Sequence, residues 1–416
     1  MGKRTLRCVR ILAFAVAFVV AFGAAPAAKA TIFYVSPHGQ DSQSGTSPRA
    51  AWRTVGRVSR AQLGPGDTVL FRGGAAYGGT LFPRTSGRPG APITFSSYGG
   101  RRANIVGGIT LVSKSWIRLV SLRVDTGTWK TAGDTYGVMS HDRGSGSTHI
   151  SVRNCSFRNV RFGLMLSNHG DRHWLVRNNL IQYTRDSGIL IFDPHTTNGI
   201  GGDSLLFAHN SILDTGLDSS IDYPKHGVYD KGTNTTFRNN VIRNWSSQSG
   251  LEGAALAIRA HSTTIRGNRL SGGPYGVSWL GYDPAAGTTR IVGNRISHVT
   301  RDGVSLTWQM GPVATAESFD VAHNVISTQA ARGQPLPDAI FTQRTTGSIS
   351  IAHNVVKGTH RYGLWIDGLP QGRFSEHHNH WRGNHGAERW NYLGLELPTL
   401  RAYQLASGQG AADTVG

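Results

Sequence analysis

Thr264-Ile265-Arg266-Gly267-Asn268-Arg269-Leu270 is followed by Gly276-Val277-Ser278-Trp279. The same phrase returns as Arg290-Ile291-Val292-Gly293-Asn294-Arg295-Ile296 with Gly303-Val304-Ser305-Leu306. In both copies an apolar residue stands three before the Asn and an aliphatic residue two after it. Working outward, the phrase centres on Cys155, Asn179, Asn210, Asn240, Asn268, Asn294, Asn324 and Asn354, at spacings of 24, 31, 30, 28, 26, 30 and 30 residues. A sustained period of this size signals a solenoid. The units are rich in Asn and Gly, and their short β-branched runs alternate apolar with polar residues, as half-buried strands do. Each unit is too short to bury a core alone, so the units must stack. Stacking sets each Asn above the next, and such a ladder satisfies its amides from coil to coil. Cys155 supplies a small inward group where the first clear unit lacks the Asn. The expected fold is all-β: a right-handed single-stranded parallel β-helix with short capping helices. The rival, a β-propeller, needs blades of about 40 residues or more.

The first thirty residues read as an address. Lys3, Arg4, Arg7 and Arg10 precede the apolar run Ile11–Ala25, and Ala28-Lys29-Ala30 fits a cleavage site. This is the pattern of a secretory signal peptide. The run falls short of the roughly 20 apolar residues that span a bilayer, so a secreted, extracellular or periplasmic protein without a membrane anchor is expected. Without residues 1–30 the chain carries 38 Lys and Arg against 24 Asp and Glu, and Cys155 is its one cysteine. No intrachain disulfide is then possible, and stability must come from the stacked core. The positive balance favours acidic partners. Nucleic acid is disfavoured, because no nucleic-acid module is present. A monomer is expected.

Residues 31–110 read as an N-terminal cap and first coils, 111–387 as the β-helix, and 388–416 as a C-terminal cap and tail. An amphipathic helix is expected over 50–63, with Trp52, Val55, Val58 and Leu63 on one side. A second is expected over 395–406. Gly64-Pro65-Gly66-Asp67 is a turn between the strands 31–35 and 68–71. Further strands are expected at 92–95, 104–106 and 116–120.

Phe33-Tyr34-Val35-Ser36-Pro37, Gly39, Asp41, Gly45-Thr46, Trp52-Arg53-Thr54 and Gly64-Pro65-Gly66-Asp67-Thr68-Val69 resemble the opening of secreted right-handed β-helix proteins of the pectin-lyase-like superfamily. Leu400-Arg401-Ala402-Tyr403-Gln404 with Ser407-Gly408-Gln409 is similar to the tail many of them carry. The resemblance spans nearly the whole mature chain and implies the fold. Lyases, hydrolases, epimerases and inactive binders all occur on that fold, so function must be argued from a site.

Each unit has a second strand that begins Gly-aliphatic. Alternation turns Val138, Leu164, Ile189, Val228, Ile258, Val277, Val304 and Leu364 inward. The residues one and three further on then face out: Met139 and His141, Met165 and Ser167, Leu190 and Phe192, Tyr229 and Lys231, Arg259 and His261, Ser278 and Leu280, Ser305 and Thr307, Trp365 and Asp367. Loops add His169, Asp193-Pro194-His195, Tyr282-Asp283 and Trp308-Gln309. Aromatic rings stack on sugars and cations pair with carboxylates, so this face suits an acidic polysaccharide. Lys231 beside Arg259 resembles the base lysine and its arginine partner in chondroitinase-B-like and alginate lyases. Asp193-Pro194-His195 resembles the Asp-Pro-His of mannuronan epimerases, and Lys225-His226-Gly227 a motif of their periplasmic relatives. The sequence departs from these epimerases at Thr196, where they carry an acid, and at Leu190, where some carry a tyrosine.

Both reactions remove the proton on carbon 5 of a uronate, which requires neutralising the carboxylate first. Arg259 is the candidate for that. Lys231 or His195 is the candidate base and Tyr229 the proton donor. Asp193, Lys225, His226, His261, His141, Tyr282 and Trp308 are candidate substrate contacts. A lyase is the leading expectation, with an epimerase or a non-catalytic glycan binder as alternatives. Hydrolysis is disfavoured, because the face offers only Asp367, with Asp193 and Asp283 on loops. No cofactor is required. Calcium is possible but weakly supported: it needs six to eight oxygens, and Asp214, Asp218 and Asp222 are loosely spaced in one loop. His209, His323 and His353 recur beside the ladder Asn and read as structural.

Overall fold

The structure is a computed structural model that describes residues 29–140, 144–194, 201–220, 223–245, 253–281, 286–308, 316–343, 347–370, 372–383 and 388–416. Its strands form three long sheets of 13, 13 and 12 strands, each strand lying on the equivalent strand of the next coil. The first sheet runs from Ile32–Val35 to Phe374–His377, the second from Ala76–Tyr77 to Thr414–Val415, and the third from Ile109–Leu111 to Leu395–Leu397. The pairing is parallel except at the end, where Trp390–Tyr392 and Leu395–Leu397 are antiparallel. This is a parallel β-helix.

The Asn phrase marks the corner between the first and second sheets. Asn268 shows the pattern: its Nδ2 donates to the Phe237 carbonyl of the preceding coil at 2.9 Å and to Asn294 Oδ1 of the next at 3.0 Å. Its own Oδ1 accepts from the backbone and side-chain nitrogens of Asn240. The ladder runs one rung further than the eight counted in the sequence. Asn379 accepts from Asn354, and Asp413 closes the row by accepting from Asn379 N at 2.7 Å. Cys155 opens it, donating its backbone N–H to Asn179 Oδ1. The residue before each rung has positive φ, as at Asn178, His209, Asn239, Gly267, His323, His353 and His378. Only Gly, Asn and a few other residues such as His take that conformation readily, which explains the composition of the corner.

Most strands of the third sheet open on Gly because there is no room for more. A Cβ on Gly227 would meet Ile242 Cγ2 at 2.5 Å and the Ala255 carbonyl at 2.6 Å. The inward column is Val138, Leu164, Ile189, Val228, Leu256, Val277, Val304, Ile340 and Leu364. Leu256, not Ile258, therefore lies level with Val228. Ala255 takes the place of the glycine in this coil, so the Gly-aliphatic phrase is written Ala255-Leu256 and the register shifts by two.

The ends are closed by helices shorter than expected. Asp41 accepts from the backbone N–H groups of Arg53 and Thr54, which holds them extended, and Thr54 caps Arg57 N. The first helix is thus only Val55–Arg60. Val55 and Val58 are buried there beside Trp52, which stacks on Phe33 at 4.7 Å. The second helix is Leu400–Ser407; residues 395–397 are strand instead. Its Tyr403 is fully buried and stacks on Trp390, covering the last coil.

Candidate functional site

The outward face of the third sheet holds a cavity of about 900 Å³. Phe162, Phe192, Tyr223, Tyr229, Tyr275 and Phe341 give it an aromatic lining, and Arg259, His226, Asp186 and Asp302 give it charge and polarity. Its floor is the strands Ile189–Ile191, Val228–Asp230, Ala254–Ile258 and Tyr275–Gly281.

Lys231 and Arg259 are neighbours on successive coils, since Asp230 pairs with Ile258 and Arg259 N donates to Asp230 O at 2.8 Å. The expected alignment of Arg259 with Tyr229 is corrected by the two-residue shift: Ala257 lies level with Tyr229, and Ser278 follows. The arginine reaches back over this small residue. Its Nη1 donates to the carbonyls of Ile258 and Ser278, both at 2.9 Å, and its guanidinium lies 5.8 Å from the Tyr229 ring centre. Lys231 is 9% exposed and stands outside the cavity lining, behind Phe192, which lines it: its Nζ is 5.3 Å from the Phe192 ring centre. Burial first, then the Arg259 charge, pulls its ammonium below the ordinary lysine value.

His226 lies against Tyr229, ring centres 5.5 Å apart. Its Nδ1 accepts from Ala254 N at 3.0 Å, which places the ring proton on Nε2. Burial, and then Arg259, holds its pKa at about 3, so the imidazole is neutral.

Other expected contacts fall elsewhere. Lys225 is fully buried, so it is not a substrate contact. Asp193 is 1% exposed and turned inward, where it accepts from the backbone N and Nδ1 of His169, so it too is removed from the face. Ser167 is buried against Ser140 rather than facing out. His261 lies past the end of its strand, outside the cavity lining. His141, His195 and Tyr282 lie outside the described residues, as do Asp222 and the side chain of Trp308. Asp214 and Asp218 are held by different partners, Asn244 and Gln182 for one and Arg185 and Ser220 for the other.

Sequence reasoning missed the carboxylates of the cavity wall. Asp186 accepts from Ser187 N at 2.7 Å and from the Tyr223 hydroxyl. Burial raises Asp302 to about 7, with the neighbouring Asp338 the next cause. Both sit in the turns that lead into third-sheet strands, where strand alternation gives no direction. They are four coils apart, about 19 Å at the inter-strand spacing, too far to act as a glycosidase pair. Among the described residues, no three potential metal ligands of this wall come within ligand distance of one another.

Beneath the face, Asp230 is fully buried; Gly232 N donates to its Oδ1 at 2.8 Å, and its Oδ2 has no partner among the described residues. Burial raises its pKa to about 7. A carboxyl raised in this way adds its full stability below the unfolded value of about 3.9 and loses it as pH climbs towards 7. Asp230→Asn is therefore expected to raise the melting temperature at pH 8 and to change it little at pH 4.5. An equal shift at both pH values would show that Asp230 does not titrate in this range.

Residues 214–372 match the family model described as the right-handed β-helix region. A 74-residue stretch is 40% identical to the lacto-N-biosidase of Bifidobacterium longum subsp. longum; it covers 17% of this chain and 5% of that protein, so the chain spans a small part of this relative's length. Among solved structures, XylC in complex with xylose is similar with a TM-score of 0.54 at 12% identity, over 92% of this chain and 83% of that one. The A-module of Azotobacter vinelandii mannuronan C-5 epimerase AlgE6 is similar with a TM-score of 0.52 at 13% identity, over 84% and 91%. At these identities the structural likenesses bear on the fold. In its repeat, its ladder and its three parallel sheets, the chain is a right-handed parallel β-helix of the kind that family model describes.

Proposed function

We propose that this chain is a secreted carbohydrate-active enzyme, and that the cavity cleaves an acidic, uronate-containing polysaccharide by β-elimination. The observation that carries this reading is the pairing of Lys231 with Arg259 on adjacent coils beside an aromatic cavity. Arg259 would hold the uronate carboxylate and stabilise the charge that spreads onto it when carbon 5 is deprotonated. The Lys231 amine, below its ordinary pKa, would take that proton. The electron pair then forms the carbon 4–carbon 5 double bond as the carbon 4–oxygen bond breaks, and Tyr229 gives its hydroxyl proton to the leaving oxygen. His226, neutral with its proton on Nε2, would donate a hydrogen bond without adding charge. The aromatic lining would stack on neighbouring sugar rings. In this reading residues 1–30 are removed on export.

The test is a panel of alginate, pectate, glucuronan, hyaluronan, chondroitin and dermatan, with and without calcium. Growth of ultraviolet absorbance from the new double bond is expected on one polymer. Hydrogen exchange at carbon 5 without absorbance would transfer the same residues to epimerisation. Hydrolysis is a second reading, favoured by the stretch shared with a lacto-N-biosidase and by Asp302, whose raised pKa suits a general acid. It would give new reducing ends without absorbance. Silence on all three readouts would overturn the enzyme.

A further inference from the structure

The corner between the first and second sheets carries a column of positive-φ residues, one per coil. His323, His353 and His378 occupy three successive places in it. The His323 and His353 rings are parallel within 3° and 4.9 Å apart, which is the spacing of the coils.

The last coil breaks the pattern. The place before the positive-φ residue is Ala322 and Ala352 in the preceding coils and His377 here. Adjacent residues of a strand normally point to opposite sides. The φ of 57° at His378 turns its side chain to the same side as that of His377. Their Nδ1 atoms lie 2.9 Å apart with the rings at 87°. The His353 ring is 5.0 Å from that of His378. One ring nitrogen from each of His353, His377 and His378 lies within 4.8 Å of the other two, a convergence found nowhere else among the described residues. His353 and His378 are exposed and His377 is half-buried, so small rotations can close the donor set.

We propose that His353, His377 and His378 form a binding site for a divalent transition-metal ion of the zinc, copper and nickel class. Three imidazoles without a carboxylate suit these borderline metals and not calcium or magnesium. Three ligands leave a fourth position for water or an outside donor. The ion would join two successive coils at the end of the solenoid, where each coil has fewer neighbours to hold it. His378 N also donates to Ala411 O at 3.0 Å, so the C-terminal segment would be tied in as well.

The test uses the chelator-treated protein titrated with Co²⁺, read by visible absorption, and with Zn²⁺, read by calorimetry and melting temperature. One ion per chain, four-coordinate Co²⁺ bands and a rise in melting temperature are expected. His377→Ala restores the residue of the preceding coils, and His378→Asn uses the residue found at positions 178 and 239 of the same column, so both variants should keep the fold. Each is expected to weaken binding by about tenfold or more, the scale of loss that even a supporting group's removal causes. His209→Asn, in the same column but alone, should leave binding unchanged. Absence of Co²⁺ bands and of any Zn²⁺ effect would overturn the site, as would unchanged binding in the His377→Ala, His378→Asn double variant.

Discussion

An Asn268→Ala variant is expected to lose about 4 kcal/mol or more of stability, because each buried polar group left without a partner costs ~1–3 kcal/mol. The side chain is 1% exposed and serves both neighbouring coils. Truncation removes four buried bonds at once: Asn240 N loses its acceptor, Asn240 Nδ2 keeps only the Phe207 carbonyl, and the Phe237 carbonyl and Asn294 Oδ1 lose the side-chain donor. Asn294 Oδ1 keeps only the backbone N–H of residue 268. The vacated space is a side-chain amide wide and walled by neighbouring rungs, and a water entering it must replace several directed bonds to compensate. In a stacked repeat such a loss weakens the interfaces on both sides of the rung. Cys155→Ala is the contrast. Its ladder bond comes from the backbone, and the thiol makes only weak sulfur contacts to Leu119 O and Arg153 O. That variant is expected to cost roughly 1 kcal/mol, the scale of a small cavity. Urea midpoints measured side by side decide the matter, and equal losses in the two variants would remove the ladder as the source of stability.

The ladder was legible in the sequence because its physics is strictly periodic. A polar amide can be buried in every coil only where the same amide lies above and below it, so Asn must recur at one place and positive-φ residues must precede it. The glycines of the third sheet were legible for the same reason, since a Cβ there strikes the next coil. The face of the cavity was less legible. In the coil of Arg259 the glycine is replaced by Ala255, and the run Ala254-Ala255-Leu256-Ala257-Ile258 is buried throughout, which erases the alternation that sets register. Arg259 was still recognised, as an outward residue of its strand and by the lyase resemblance, but it was placed level with Tyr229 rather than with Lys231. Lys225 and Asp193 were misplaced for a different reason. A charged residue in a loop reads as exposed, and only the neighbouring coil reveals that it is covered. Asp186 and Asp302 escaped because turn geometry decides their direction.

Lys231→Ala and Arg259→Ala are expected to lower the rate of unsaturated-product formation by about 10²–10⁴-fold for the base and 10²–10³-fold for the charge-stabilising arginine. Arg259 lines the cavity, where it bonds two carbonyls, whereas Lys231 is only 9% exposed, so melting temperatures measured beside the rates separate lost chemistry from lost stability. Arg259→Lys keeps a charge but loses the planar fork that would grip a carboxylate, so it should recover only part of the rate. The pH profile separates a chemical role from a structural one. With Lys231 as base, the rate rises with pH until the amine is fully deprotonated, and that limb lies below the ordinary lysine value because burial and Arg259 depress it. Arg259→Gln removes one of those two causes, so the limb should move to higher pH while the maximum falls. A merely structural arginine would lower the rate with the limb unmoved. Tyr229→Phe adds a third diagnostic: if Tyr229 protonates the leaving oxygen, hydrogen exchange at carbon 5 should survive while cleavage falls. Full activity in Lys231→Ala would eliminate the base assignment. An unmoved limb in Arg259→Gln would mean that the two cations do not act on one another, and with that the adjacency on which the proposed elimination rests would lose its chemical meaning.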